Sequence, residues 1–84
     1  MAQNLPTRVY IAGDVVKFAL YEYKNLTAGD TFVLSADFTN IQYATMVNTA
    51  GVTQAPAISA NTTLTVGAGP NKDDGYLLVV GTSS

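Results

Sequence analysis

The stretch Val15-Val16-Lys17-Phe18-Ala19-Leu20-Tyr21-Glu22-Tyr23 decides the fold class, because it admits two readings. Ala, Leu, Glu and Lys all favour helices, so residues 18–24 compete as a short helix. The alternation argues otherwise. Val16, Phe18 and Leu20 fall on one side and Lys17, Ala19, Tyr21 and Tyr23 on the other. Together with the β-branched and aromatic enrichment, that period of two favours a strand. The second side mixes aromatic tips with a charge and a small residue and reads as half exposed, which leaves Val16, Phe18 and Leu20 as the more buried set.

Outward from this stretch the period of two continues. Residues 7–12 set Val9 and Ile11 against Arg8 and Tyr10, and Gly13-Asp14 follows as a turn signal. Residues 25–30 read as a loop pivoting on Gly29-Asp30, and residues 31–36 as a strand burying Phe32 and Leu34. A break at residues 37–40 lets Phe38 plug one end of the core. Residues 41–48 alternate again, with Ile41, Tyr43 and Val47 opposed to Gln42, Ala44 and Met46. Asn48-Thr49-Ala50-Gly51 reads as a hairpin turn, its glycine free to take a positive φ. Residues 52–59 form the return strand, which Pro56 demotes to an edge or to irregular structure. Ala60-Asn61 turns the chain into residues 62–66, which point Leu64 and Val66 inward. Residues 67–75 are the most polar and turn-rich stretch, and residues 81–84 read as a frayed end. The expectation is an all-β fold, a small antiparallel β-sandwich or barrel of six to seven short strands. Residues 1–7 are expected as an extended N-terminal arm and residues 8–84 as a single β-domain.

Residues 76–80, Tyr-Leu-Leu-Val-Val, are apolar at every position. Such a strand is expected to be covered on both faces, by the domain core on one and by a second layer or another subunit on the other. A bare face in the single chain would remove the main support from an argument for assembly.

Of the 84 residues, 48% are apolar and only 12% charged. Ordinary globular domains carry about 25% charged residues. The apolar fraction and the net charge of −2 exclude a disordered chain. The four cations, Arg8, Lys17, Lys24 and Lys72, are dispersed among six acidic residues, so no basic patch for nucleic acid is expected. The longest apolar run is too short to cross a bilayer as a helix. The start has neither a basic nor an apolar leader region, so a protein made in the cytoplasm is expected. The Asn-x-Thr triplets at Asn25 and Asn61 are what a threonine-rich chain generates by chance.

Chemistry finds little purchase. With no Cys and no His, the chain lacks thiol nucleophiles, thiolate metal sites and the commonest general base. Its hydroxyls therefore have no imidazole to activate them. Asn71, Asp73 and Asp74 suggest a calcium loop but lack the distal bidentate glutamate, and read as a solvated turn. Gly67, Gly69 and Gly75 precede no helix that could aim its N-terminus at a phosphate. Asp30 and Asp37 could be drawn as a hydrolytic carboxylate pair, as could pairs in any acidic chain. Tyr10, Tyr21, Tyr23, Tyr43 and Tyr76 could line a carbohydrate platform, although tyrosines in a sheet more often pack with a wet hydroxyl. No catalytic residue, metal ligand or cofactor is expected, and the chain is not expected to be an enzyme.

Ala28-Gly29-Asp30-Thr31-Phe32 leading into a strand, a threonine-rich middle, and the finish Asp73-Asp74-Gly75-Tyr76-Leu77-Leu78-Val79-Val80-Gly81 together resemble small structural proteins of tailed bacteriophage virions. The likeness is to the short all-β head decoration, or capsid cement, proteins. It implies a structural protein added to the outside of an assembled head, often as a trimer, clamping neighbouring major capsid protein subunits. It carries over no ligand residues. A shortage of charge suits surface covered by neighbours, because charges buried at an interface cost several kcal/mol unless paired. The expected interface residues are Leu5, Pro6, Tyr10, Tyr21, Tyr23, Tyr76, Leu77 and Val79. The alternative is a phage tail or fibre β-domain, or a carbohydrate-binding module. The two differ in their aromatics: a glycan binder needs coplanar rings on an open face, and decoration expects Tyr21, Tyr23 and the last strand to be occluded by partners.

Overall fold

The computed structural model describes residues 3–83, and among them there are only strands, turns and loops. Eight strands follow in order: β1 (Thr7–Gly13), β2 (Val16–Leu26), β3 (Thr31–Val33), β4 (Asn40–Asn48), β5 (Thr53–Gln54), β6 (Ala57–Ser59), β7 (Thr63–Thr65) and β8 (Asp73–Thr82). They form two antiparallel sheets, a large one ordered β1-β2-β8-β4-β5 and a small one ordered β3-β7-β6. The two stack as an open sandwich and do not close into a barrel.

The count exceeds the expected six to seven because Ala55-Pro56 divides the return strand. Proline cannot donate to a ladder. At the buried Pro56 the chain therefore leaves β5, at the edge of the large sheet, and re-pairs as β6 at the edge of the small one. The last strand is longer than its apolar run suggests. β8 is paired on both sides, with β2 and β4, and this double ladder draws in residues 73–75 and Gly81-Thr82, expected as loop and frayed end. Ser84 lies outside the described residues.

The core fills the space between the sheets. Phe32, Leu34, Leu64 and Val66 come from the small-sheet side, and Ala19, Tyr21, Tyr23, Ala44, Met46, Leu77 and Val79 from the large sheet. Tyr23 and Phe32 meet across the layers with ring centroids 5.9 Å apart. Phe38 is buried at one end, as its place in the break suggests.

On β2 the facing is the reverse of the expected one. Ala19, Tyr21 and Tyr23 of β2 point into the core, whereas Val16, Phe18 and Leu20 point away from it. On β4 the register slips between Ile41 and Tyr43, so Ile41 shares the core face with Ala44 and Met46, and Tyr43 turns outward with Val47. A second slip between Arg8 and Tyr10 leaves Val9 as the extra residue of a bulge, exposed, while Ile11 packs on the core. A bulge shifts the alternation by one residue, and a strand with two apolar faces gives its pattern no means of saying which is inside.

The N-terminal segment does not project as an arm. Gln3 bridges Thr31 in parallel, the Asn4 backbone amide donates to the Thr31 carbonyl (2.8 Å), and Asn4 Nδ2 donates to the Lys24 carbonyl (3.0 Å). Gln3 and Asn4 thus lie against Thr31 at the start of the chain's own β3 and against Lys24 of β2, and Thr7 already belongs to β1. Residues 1–2 lie outside the described residues.

A candidate protein-docking face on the large sheet

Residue pairing lays out the outer face of the large sheet row by row. Ala12, Phe18, Val80 and Tyr43 form one row across β1, β2, β8 and β4. Tyr10, Leu20, Leu78 and Thr45 form the next, and Glu22, Tyr76, Val47 and Thr53 a third that reaches β5. Cross-strand neighbours on one face sit about 5 Å apart, so these side chains form a continuous layer. Glu22 is the one charged residue in the three rows. Tyr10 is 57% exposed, Tyr43 55%, Phe18 and Tyr76 47% each, and Leu78 36%. Leu20, Thr45, Val47, Thr53, Tyr76 and Leu78 line a shallow apolar depression in this layer.

The small sheet presents the opposite chemistry. Phe32 and Leu64 face the core, so Thr31, Thr65 and Ala57 form one outward row and Val33, Thr63 and Ser59 the other. Ser59 Oγ lies 3.4 Å from Thr65 Oγ1 within that hydroxyl-bearing surface. The small sheet turns mainly threonine and serine outward, with Val33 and Ala57 among them, and the large sheet turns out aromatic and aliphatic groups.

The last strand is therefore covered on one face only. Leu77 and Val79 are buried in the core, while Tyr76 and Leu78 stand on the outer face and Val80 is half-buried there. The expectation of cover on both faces is not met in the single chain, and that line of support for assembly is lost. What replaces it is the bare apolar layer itself, which spans four strands instead of one.

Of the expected interface residues, Tyr10 and Tyr76 lie on this layer. Leu5 is exposed and Pro6 half-buried on the segment that leads into β1. Tyr21, Tyr23, Leu77 and Val79 are corrections: all four are core residues, 0–2% exposed, and cannot touch a partner. Tyr21 and Tyr23 are occluded by their own chain, so their burial carries no information about partners. Phe18, Leu20, Tyr43, Val47, Leu78 and Val80 were not among the expected residues. The fully apolar run held a signal for the β8 part of the layer, Tyr76, Leu78 and Val80, since alternate residues of such a strand must emerge on the second face.

The polar groups singled out in the sequence tie the structure together. Tyr21 donates to Asp37 Oδ2 (2.7 Å), and Arg8 Nη1 pairs with Asp37 Oδ1 at 2.6 Å. Burial first, then the hydrogen bond and charge of Asp37, push the Tyr21 phenol well above its ordinary range, against an opposing pull from Arg8. Burial, with the nearby Asp73 and Asp74 charges, likewise raises Tyr23. Asp30 Oδ2 accepts from the Thr27 amide (3.0 Å), Asp73 Oδ2 from Asn48 Nδ2 (3.2 Å) and Asp74 Oδ1 from the Asn25 amide (3.0 Å). These carboxylates thus hold turns and strand ends. Among the described residues no group of three or more His, Cys, Asp or Glu is placed to hold a metal ion. On the outer face the Tyr10 and Phe18 rings are inclined at 48°, so they do not form a coplanar sugar platform. No protein-family model, no curated protein and no solved structure matches the chain.

Proposed function

We propose that this chain is a structural virion protein, a decoration domain that binds the outside of an assembled phage head and stabilises contacts between major capsid protein subunits. The phage setting rests on the resemblance in the Gly29-Asp30-Thr31 strand start and the Asp73–Gly81 finish. The observation that carries a protein-binding role is the contrast between the two outer faces. Water-facing sheets normally alternate apolar-in with polar-out, as the small sheet does at four of its six outward positions. The large sheet instead spends tyrosine, phenylalanine, leucine and valine on its outside, and large exposed apolar patches mark interaction sites. Exposed aromatics with few charges are the composition of an interface centre. Several such weak contacts, engaged at once across neighbouring subunits, multiply into useful affinity.

Co-sedimentation with expanded, mature phage heads tests the reading. Wild-type protein should pellet with heads and saturate at a fixed ratio to capsid protein, and Leu78→Glu should stay in the supernatant. Failure to bind any expanded head, with clear binding to a cell-surface polysaccharide on an array, would overturn it in favour of a glycan-binding domain.

A further inference from the structure

We infer that in the free protein the outer face of the large sheet is covered by the same face of a second copy of this chain, in a two-fold sheet-on-sheet interface. The inference rests on reading this face as a protein-docking surface, and it concerns the protein before it meets any other partner. Two observations point to a second copy, and a closed assembly follows from them.

The first is area. The molecule measures 34 × 22 × 17 Å. The eleven residues of β2, at a rise of about 3.3 Å, account for the long dimension, and five strands spaced by about 4.8 Å account for the middle one. The large sheet therefore occupies the broad side. Strands of 7, 11, 10, 9 and 2 residues at these spacings cover roughly 600 Å² in projection, of the same order as the ~800 Å² that each partner contributes to a stable interface. Two copies meeting through this face would form an interface of standard size.

The second is chemistry. A partner for this layer must itself be flat, apolar and nearly free of charge, because an unpaired charge set against Phe18, Leu78 or Tyr43 would lose its hydration without compensation. The layer meets that description for itself. Two sheets stacked about 10 Å apart with inward aliphatic and aromatic side chains form the ordinary interior of a β-sandwich. Glu22 lies in the end row, beyond Leu20. A two-fold axis near the central Leu20–Leu78 row sends the two Glu22 side chains to opposite ends of the interface, where they reach water and do not face each other. A net charge of −2 per chain adds little repulsion.

Closure is the consequence. The interface is isologous, so it consumes the apolar face of both copies and forms a pair, not the trimer implied by the resemblance. The pair then presents only its two threonine- and serine-bearing small sheets on its broad sides.

Sedimentation velocity between about 1 and 100 µM decides the matter. The expected species has twice the 8.8 kDa chain mass. Leu78→Glu, at the centre of the layer, should weaken the pair by about a hundredfold or more and give monomer. Val33→Glu, on the outer face of the small sheet, should leave it intact. Far-UV circular dichroism shows whether each variant folds. Should Leu78→Glu not fold, Phe18→Glu and Tyr43→Glu, in the row beside it, serve the same purpose. A wild-type monomer throughout the range, a trimer, or a pair that survives charge in the layer would each overturn the inference. A monomer that still binds phage heads would overturn the pairing alone, whereas a pair that binds no head would sustain it and overturn the decoration role.

Discussion

Tyr21 reaches from β2 to the turn after β3, where its phenol donates to Asp37 Oδ2 at 2.7 Å, and the other carboxylate oxygen takes Arg8 at 2.6 Å. Asp37 thus ties a core tyrosine and the edge strand to the turn that buries Phe38. Asp37→Ala should cost about 2–3 kcal/mol, because it orphans a buried phenol as well as removing a charge-assisted bond. Tyr21→Phe should cost about 1 kcal/mol. Arg8 is half exposed, so Arg8→Ala should cost less than about 1 kcal/mol. Urea denaturation of the three variants gives the order, and an Arg8 effect equal to that of Asp37 would refute the account.

The same phenol sets an alkaline limit. An unfolded tyrosine ionises near pH 10, and Tyr21 in the fold ionises well above that. The folded state therefore favours the protonated form. That contribution is complete below about pH 10 and is lost as pH rises from there toward the folded value. The urea midpoint should fall between about pH 9 and pH 11, and fall less in Tyr21→Phe. Part of the drop should persist, because burial raises Tyr23 as well. Equal drops in the variant and the wild type would remove Tyr21 from the explanation.

Gly75 sits where β8 passes beneath Tyr23. A Cβ at this position would collide with the Val47 carbonyl and come within 2.6 Å of the Tyr23 hydroxyl. The backbone atoms cannot yield without breaking the β4–β8 ladder. Gly75→Ala should destabilise by about 2 kcal/mol or more, with a lower thermal midpoint and an unchanged ordered baseline. Loss of less than about 0.5 kcal/mol would show that the strand ends give way easily.

The turn between β6 and β7 contains a strained residue. Ala60 has φ +50° and Asn61 φ +63°. Asparagine tolerates the left-handed region and alanine does not, at a cost of roughly 1 kcal/mol. Ala60→Asn should raise stability by about 0.5–1 kcal/mol, measured as a shift of the urea midpoint at constant slope.

Legibility in the sequence differed between the two sheets for a physical reason. Phe32, Leu34, Leu64 and Val66 were read inward correctly, since threonines flank most of them and leave one apolar face. The Asn48–Gly51 turn was also readable: Asn48 Oδ1 accepts from the Ala50 and Val52 amides, and Gly51 adopts φ +82°. On β2, β4 and β8 both faces are apolar, so alternation announces a strand without saying which side is buried. The bulges at Val9 and Gln42 then flip the phase in mid-strand, and no residue type marks them. Hence the pattern leaves Phe18 and Leu78 unmarked as surface residues and sets Tyr21 and Tyr23 on the half-exposed side, although both are buried.

The bulge at Val9 also has a bearing on strand addition. β1 is the long free edge of the large sheet, and β5 at the other edge is two residues long. A regular, flat β1 would offer its open amides and carbonyls to any neighbour, and a chain so rich in valine, leucine and tyrosine would extend into ribbons and fibres. The extra residue breaks that template in the middle, and the stub at β5 is too short to seed one. Growth by strand addition is thereby blunted along β1 and at the β5 end of the large sheet.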